Sequence, residues 1–166
     1  VRLIEEAYES GINVVDTAEV YGEGAAEETI GKTSNNVRNN LFIMSKFSAE
    51  NSKTLDIINS VNNSLKRIKR DFLDVYQPHW PQPDVPLIDI IETLEKLKKE
   101  GKVLSFGVSN FNSNQIALLL TESLIEWNQI ECSLTEPKFM FDGLLDYLIK
   151  NKIKIMAWSP LGSYFK

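Results

Sequence analysis

Six short apolar runs, rich in β-branched and aromatic residues, begin near Ile12, Leu41, Phe72, Val103, Trp127 and Ile153. They limit what this chain can fold into more than any other feature. Most are near-continuous rather than alternating, as in LFIM from Leu41 to Met44 and IKIMAW from Ile153 to Trp158, the pattern of parallel strands buried on both faces. Helical patterns lie between them. Leu55, Ile58, Val61, Leu65, Ile68 and Phe72 follow three-four spacing, with lysines and arginines in the final turns. Leu87, Ile90, Ile91, Leu94 and Leu97 repeat that spacing before Lys98, Lys99 and Gly101 close the helix. Strand, loop and helix thus recur about every 25–30 residues, the length of one β/α unit.

An eight-unit (β/α)8 TIM barrel takes roughly 250 residues, so 166 residues hold about six units. The rival is a doubly wound open sheet. It is the poorer reading, because no Gly-x-Gly-x-x-Gly fingerprint follows any strand and the chemistry-bearing residues come from several strand ends. The expectation is a single α/β domain over residues 1–166 with an incomplete TIM barrel. Val1 opens within a helical pattern (Leu3, Ile4, Ala7, Tyr8), and Ser163 to Lys166 come just past a strand, so both ends are expected to be cut.

Composition excludes several classes. No apolar run is long enough to span a membrane, no signal or transit peptide opens the sequence, and no membrane partner is expected. Cys132 alone cannot build a disulfide framework and suits a reducing compartment, hence a cytoplasmic location. With 23 acidic against 18 basic residues the net charge is -5, which argues against a nucleic-acid footprint and leaves room for a local basic pocket. No metal-ligating set is expected.

The candidate chemistry sits at strand ends: Asp16, Tyr21, Lys46 and His79, the only histidine of the chain. Tyrosine is a poor acid at neutral pH, and a lysine ammonium nearby lowers its pKa. Asp16 is expected to pair with Lys46, and His79 to donate a hydrogen bond to a carbonyl oxygen. Together these residues suit a reaction that delivers hydride to carbon and a proton to oxygen. Each has an ordinary alternative: a helix or turn cap for Asp16 and Thr17, packing beside a turn for Tyr21, a solvated lysine, and a loop histidine among prolines. Their occurrence together, in order and at successive strand ends, favours a site.

The segments GINVVDTAEVYG (Gly11 to Gly22), Ser45-Lys46 and QPHWP (Gln77 to Pro81) closely resemble those of the aldo-keto reductases, and the resemblance runs along essentially the whole chain. It implies catalytic roles for Asp16, Tyr21, Lys46 and His79, reduction of a small aldehyde or ketone with NADP(H), or NAD(H) in some members, and a barrel that binds the dinucleotide without a Rossmann fingerprint. GVSNF, NQIE and AWSPLG resemble the segments that hold the nicotinamide and pyrophosphate, which implies cofactor contacts for Ser109, Asn110, Gln129, Trp158, Ser159 and Leu161. Ser109 and Asn110 have the alternative of starting a helix, Ser159 of a strand-ending turn, and Trp158 of packing. Trp80 and Val20, with Glu19 beside it, are candidate walls of the substrate pocket. The short helix before Asn128 and the CSLTEP segment from Cys132 to Pro137 depart from the commoner pattern. On this resemblance the first and last barrel strands lie outside the chain. A nucleotide sensor resembling potassium-channel β subunits is a second reading, and a catalytically silent fragment a third. The oligomeric state, the physiological carbonyl and the cofactor preference are open.

Overall fold

The computed structural model describes residues 1–162, so the reading of Ser163 to Lys166 as chain just past a strand lies outside the described residues. The helices are α1 (Arg2–Glu9), α2 (Ala25–Gly31), α3 (Asn35–Asn40), α4 (Thr54–Ile68), α5 (Leu87–Lys99), α6 (Ser113–Leu119) and α7 (Leu144–Lys150). The strands are β1 (Val14–Asp16), β2 (Phe42–Phe47), β3 (Leu73–Pro78), β4 (Val103–Phe106), β5 (Val108–Ser109), β6 (Trp127–Glu131) and β7 (Lys154–Trp158). All named strand pairs are parallel, in the orders β1-β2-β3-β4 and β5-β6-β7. This is the expected incomplete barrel, with β1 and β7 each paired on one side only among the described residues.

Six strands were expected, and the fourth is interrupted. Gly107 separates β4 from β5 where the chain crosses the start of β6: a Cβ there would lie 2.5 Å from both the Cβ and the carbonyl oxygen of Trp127. The ladder breaks at that crossing and resumes against β6, with Val108 opposite Asn128 and Ser109 opposite Gln129.

The helices are held by the apolar positions that the spacing predicts. Val61, Leu65 and Ile68 of α4 and Ile90, Ile91, Leu94 and Leu97 of α5 are buried against the strands, while Ile57 is buried in α4 where the spacing pointed to Ile58, which is only partly buried. Leu55 departs from its stripe: it sits in the first turn of α4 and is 73% exposed, and Phe72 lies beyond the helix, which ends with Lys69 in the left-handed conformation. α6 starts with a reciprocal capping box between Asn112 and Gln115, so Asn112, not Ser109 or Asn110, begins that helix. Among the described residues no helix is long and apolar enough to cross a membrane.

Alternation along β2 sorts its polar residues onto two faces. Ser45 points to the helix layer, where its hydroxyl donates to Glu27 of α2, while Lys46 points into the barrel interior towards Asp16. Glu27 is fully buried and paired with Arg67 of α4, whose Nε donates at 2.7 Å. That pairing requires α2 to approach α4 closely, which Gly31 permits: a Cβ at Gly31 would lie 2.1 Å from the Arg67 carbonyl oxygen. Gly31→Ala is therefore expected to destabilise the fold by about 1–3 kcal/mol, the usual cost of overpacking where backbone must yield. Urea unfolding of the variant measures it, and an unchanged midpoint refutes the close-approach argument.

Candidate active site

The parallel register brings the C-terminal ends of the strands to one level. Asp16 ends β1, Lys46 and Gln77 are partners across β2 and β3, and Ser109, Gln129 and Met156 align across β5, β6 and β7. A cavity of about 460 Å³ lies at this end, lined by Asp16, Tyr21, Lys46, His79, Trp80, Ser109, Asn110, Gln129 and the segment from Met156 to Pro160. The four residues of the predicted quartet thus meet in one cavity, and Trp80, Ser109, Asn110, Gln129, Trp158 and Ser159 join them.

Lys46 is almost completely buried. Its Nζ donates to Asp16 Oδ1 at 2.7 Å and to the Thr17 carbonyl oxygen at 2.9 Å. Burial pushes its pKa down, and the charge and hydrogen bond of Asp16 act in the opposite sense. The second Asp16 oxygen, Oδ2, accepts from Gln129 Nε2 at 3.0 Å. The ammonium also sits 5.3 Å from the centroid of the Tyr21 ring.

Tyr21 departs from the sequence-based expectation. Its hydroxyl pKa is raised, first by burial and then by the charge of Asp16, where proximity to Lys46 was expected to lower it. The lysine charge is compensated by its contact with Asp16, so the loss of solvent decides the sign. Tyr21 therefore holds its proton throughout the neutral range.

The His79 ring stands edge-on to Tyr21, with centroids 5.5 Å apart and an interplanar angle of 78°. Its position is fixed from the backbone: His79 N–H donates to the Phe47 carbonyl at 2.9 Å, and its own carbonyl accepts from Asn110 Nδ2 at 3.1 Å. Burial and then the Lys46 charge lower its pKa, with Asp16 and Glu19 opposing. The imidazole is consequently neutral at pH 7. Well above pH 6.5 both the folded and the unfolded chain hold it neutral. As the pH falls below that value the unfolded chain takes the proton first, and stability is lost until the folded pKa is reached. The single histidine resonance is expected to titrate below pH 6.5 in an NMR pH series, and a midpoint above 6.5 contradicts the argument.

The far wall is aromatic and amide-lined. Trp158 Nε1 donates to Asn110 Oδ1 at 2.9 Å, and its ring meets Trp80 edge-to-face at 6.4 Å. Asn110 (φ 63°) and Ser159 (φ 48°) both adopt the left-handed conformation that turns the chain sharply at the ends of β5 and β7. Asn110 Nδ2 also donates to Ser109 Oγ at 3.0 Å, which leaves the Ser109 hydroxyl proton available. Gln129 keeps one N–H and one lone pair beyond its bonds to Asp16 and Gln77. A flat ring bearing an amide suits this lining: an indole wall on one side and unspent donors and acceptors at its edge.

Three predicted residues, Glu19, Val20 and Leu161, fall outside the cavity. Val20 precedes the short helical turn of Tyr21–Gly24 and is 46% exposed. It lines a separate surface cavity with Glu19, Glu23, Ser48, Asn51 and Arg67. Glu19 turns away to accept from Ser48 N–H at 2.7 Å and Asn51 Nδ2 at 2.8 Å. Leu161 lies past β7 in a turn and is 78% exposed, so its side chain faces solvent. Conversely, sequence reasoning missed Gln77, whose amide bonds Gln129 at 2.7 Å. The available signal was a polar residue inside the buried run LDVYQP, two places before His79.

Comparison with known proteins adds the family. The model of the aldo/keto reductase family matches residues 1–165. An uncharacterized oxidoreductase, YcsN, of Bacillus subtilis (strain 168) is 35% identical over 96% of this chain and 59% of its own length. A thermostable aldo-keto reductase solved with the inhibitor epalrestat superposes with a TM-score of 0.92 at 34% identity, covering 96% of this chain and 60% of that one. An aldo-keto reductase from Klebsiella pneumoniae in complex with NADPH gives a TM-score of 0.87 at 32% identity, covering 96% and 58%. The chain thus spans less than two thirds of the length of these relatives.

Proposed function

The chain belongs to the aldo/keto reductase family, and from that premise we propose that it carries the reacting portion of an NADP(H)-dependent carbonyl reductase, which reduces an aldehyde or ketone to an alcohol. One observation carries the reading. A lysine–aspartate ion pair lies beside a tyrosine ring, with an imidazole edge-on to that ring, in a single cavity walled by an indole.

NADPH, when bound, supplies the hydride. Trp158 offers a face for the nicotinamide, and Ser109, Asn110 and Gln129 hold the remaining donors and acceptors for its carboxamide. The lining fits that group. Ser159 is assigned to the cofactor side and Trp80 to the substrate side, while Val20 and Leu161 are not assigned contacts.

The carbonyl oxygen lies between Tyr21 and His79. His79 donates an N–H to it and stabilises the charge that develops there. Tyr21 passes its hydroxyl proton to that oxygen as the carbon accepts hydride, so the C=O bond becomes CH–OH. Lys46 stabilises the phenolate left behind, and Asp16 keeps Lys46 charged and fixed. The raised Tyr21 pKa fits this order of events, because the acid must keep its proton until the oxygen needs it.

The protein is tested by following NADPH consumption with short aldehydes, sugars, quinones and ketones, and NADH in parallel. Saturable turnover with at least one carbonyl class is expected. Folded protein that consumes neither cofactor with any of them overturns the reading.

A further inference from the structure

Gln77 is fully buried in β3, in register with Lys46 and two residues before His79. Its Nε2 donates to Gln129 Oε1 at 2.7 Å, Gln129 Nε2 donates to Asp16 Oδ2 at 3.0 Å, and Asp16 Oδ1 accepts from Lys46 Nζ at 2.7 Å. The direction of this chain follows from its end. A carboxylate paired with a lysine only accepts, so Gln129 must turn its NH2 group to Asp16 and its carbonyl to Gln77. Only a donor satisfies that carbonyl, and Gln129 is 2% exposed, so a protein donor serves it better than bulk solvent.

Gln77 meets this demand at its own expense: its Oε1 is buried without a hydrogen-bond partner among the described residues. A leucine at this interior position avoids an orphaned acceptor, so packing alone does not account for the amide. An amide also has two ends of nearly the same shape. Without Gln77, only Asp16 distinguishes the two orientations of Gln129.

We propose that Gln77 is a positioning residue that fixes the Gln129 side chain in one orientation, donating to Asp16 and presenting its remaining N–H and lone pair to the nicotinamide subsite. The proposal rests on the reading of the cavity as an NADP(H) site. It links the cofactor wall to the acid side of the site through an interior bond between β3 and β6, which lie in different sheets.

Two near-isosteric variants test it. Gln77→Met removes the donor, and about tenfold weaker NADPH binding is expected, read by tryptophan fluorescence quenching. Gln77→Glu places an acceptor against the Gln129 carbonyl when ionised and restores a donor when its buried carboxyl is protonated. Its affinity relative to Gln77→Met should therefore rise about fivefold to tenfold between about pH 8 and about pH 5.5. Asp16 of β1, reached through Gln129, and Lys46 of β2, in register with position 77, are the charged groups tied to this position, with Tyr21 and His79 beyond them in the cavity, and both variants share all four. A merely structural role does not make that ratio depend on pH. Wild-type affinity in Gln77→Met, or a ratio flat with pH, overturns the proposal while leaving the cofactor site intact. Failure of the folded wild-type protein to bind NADPH overturns the site reading and the proposal with it. The Gln77→Met arm decides the matter even if Gln77→Glu does not fold.

Discussion

Replacing Tyr21 with Phe is expected to lower carbonyl turnover by about 10²–10⁴-fold, the range for loss of a positioned general acid, and to leave NADPH affinity close to wild type. The substitution isolates the hydroxyl. Phe keeps the ring that meets His79 edge-on at 5.5 Å and over which Lys46 Nζ sits at 5.3 Å. Tyr21 is 40% exposed, so losing its hydroxyl leaves no buried group unpaired, and the melting temperature should hold. Cofactor contacts are assigned to the opposite wall, at Trp158, Ser109, Asn110 and Gln129. A fall in kcat with unchanged NADPH affinity marks an interaction made in the transition state. Stopped-flow reduction of an aldehyde beside a fluorescence titration of NADPH separates the two. Turnover within twofold or threefold of wild type removes Tyr21 from the role of acid.

The repeat of strands and helices was legible because each strand is covered on both faces and each helix on one, and both arrangements write themselves into hydrophobic spacing. The quartet was legible for a related reason. A lysine ending a buried run, or a histidine following one, stands out against apolar neighbours, and a parallel barrel gathers such ends at one face. What escaped notice depends on contacts between strands. Gly107 breaks a strand because of where Trp127 lies, twenty residues later in the chain. Val20 and Leu161 lie close in sequence to cavity-lining residues, but both side chains are exposed outside that cavity. Gln77 is not legible in the sequence because its partner lies across the barrel interior on β6. The sign of the Tyr21 shift could not be read from residue types, since it depends on how far Asp16 neutralises Lys46 and how much solvent is lost.

The Asp16–Lys46 pair should respond unequally to losing either partner. The Lys46 side chain is 2% exposed and that of Asp16 is 30% exposed. Lys46→Met leaves a carboxylate that solvent reaches and that still accepts from Gln129 Nε2. Asp16→Ala leaves an ammonium in the barrel interior with the Thr17 carbonyl as its remaining partner among the described residues. Breaking a buried pair from the side that strands the buried charge costs about 3–5 kcal/mol, so Asp16→Ala should be the more destabilising variant by a clear margin. It should also acquire a distinctive pH dependence. In the wild type, burial lowers the Lys46 pKa while Asp16 raises it through its charge and its hydrogen bond. Removing Asp16 leaves burial unopposed, so the folded pKa falls further below the unfolded value of 10.5. Between those two values the unfolded chain binds more protons, and stability therefore rises with pH. Urea midpoints of Asp16→Ala should thus climb from neutral pH towards pH 10.5, approaching the Lys46→Met variant, whose profile lacks this rise. Equal midpoints for the two variants at neutral pH, or a parallel pH course, would show that Lys46 finds another partner and that Asp16 does not hold its charge.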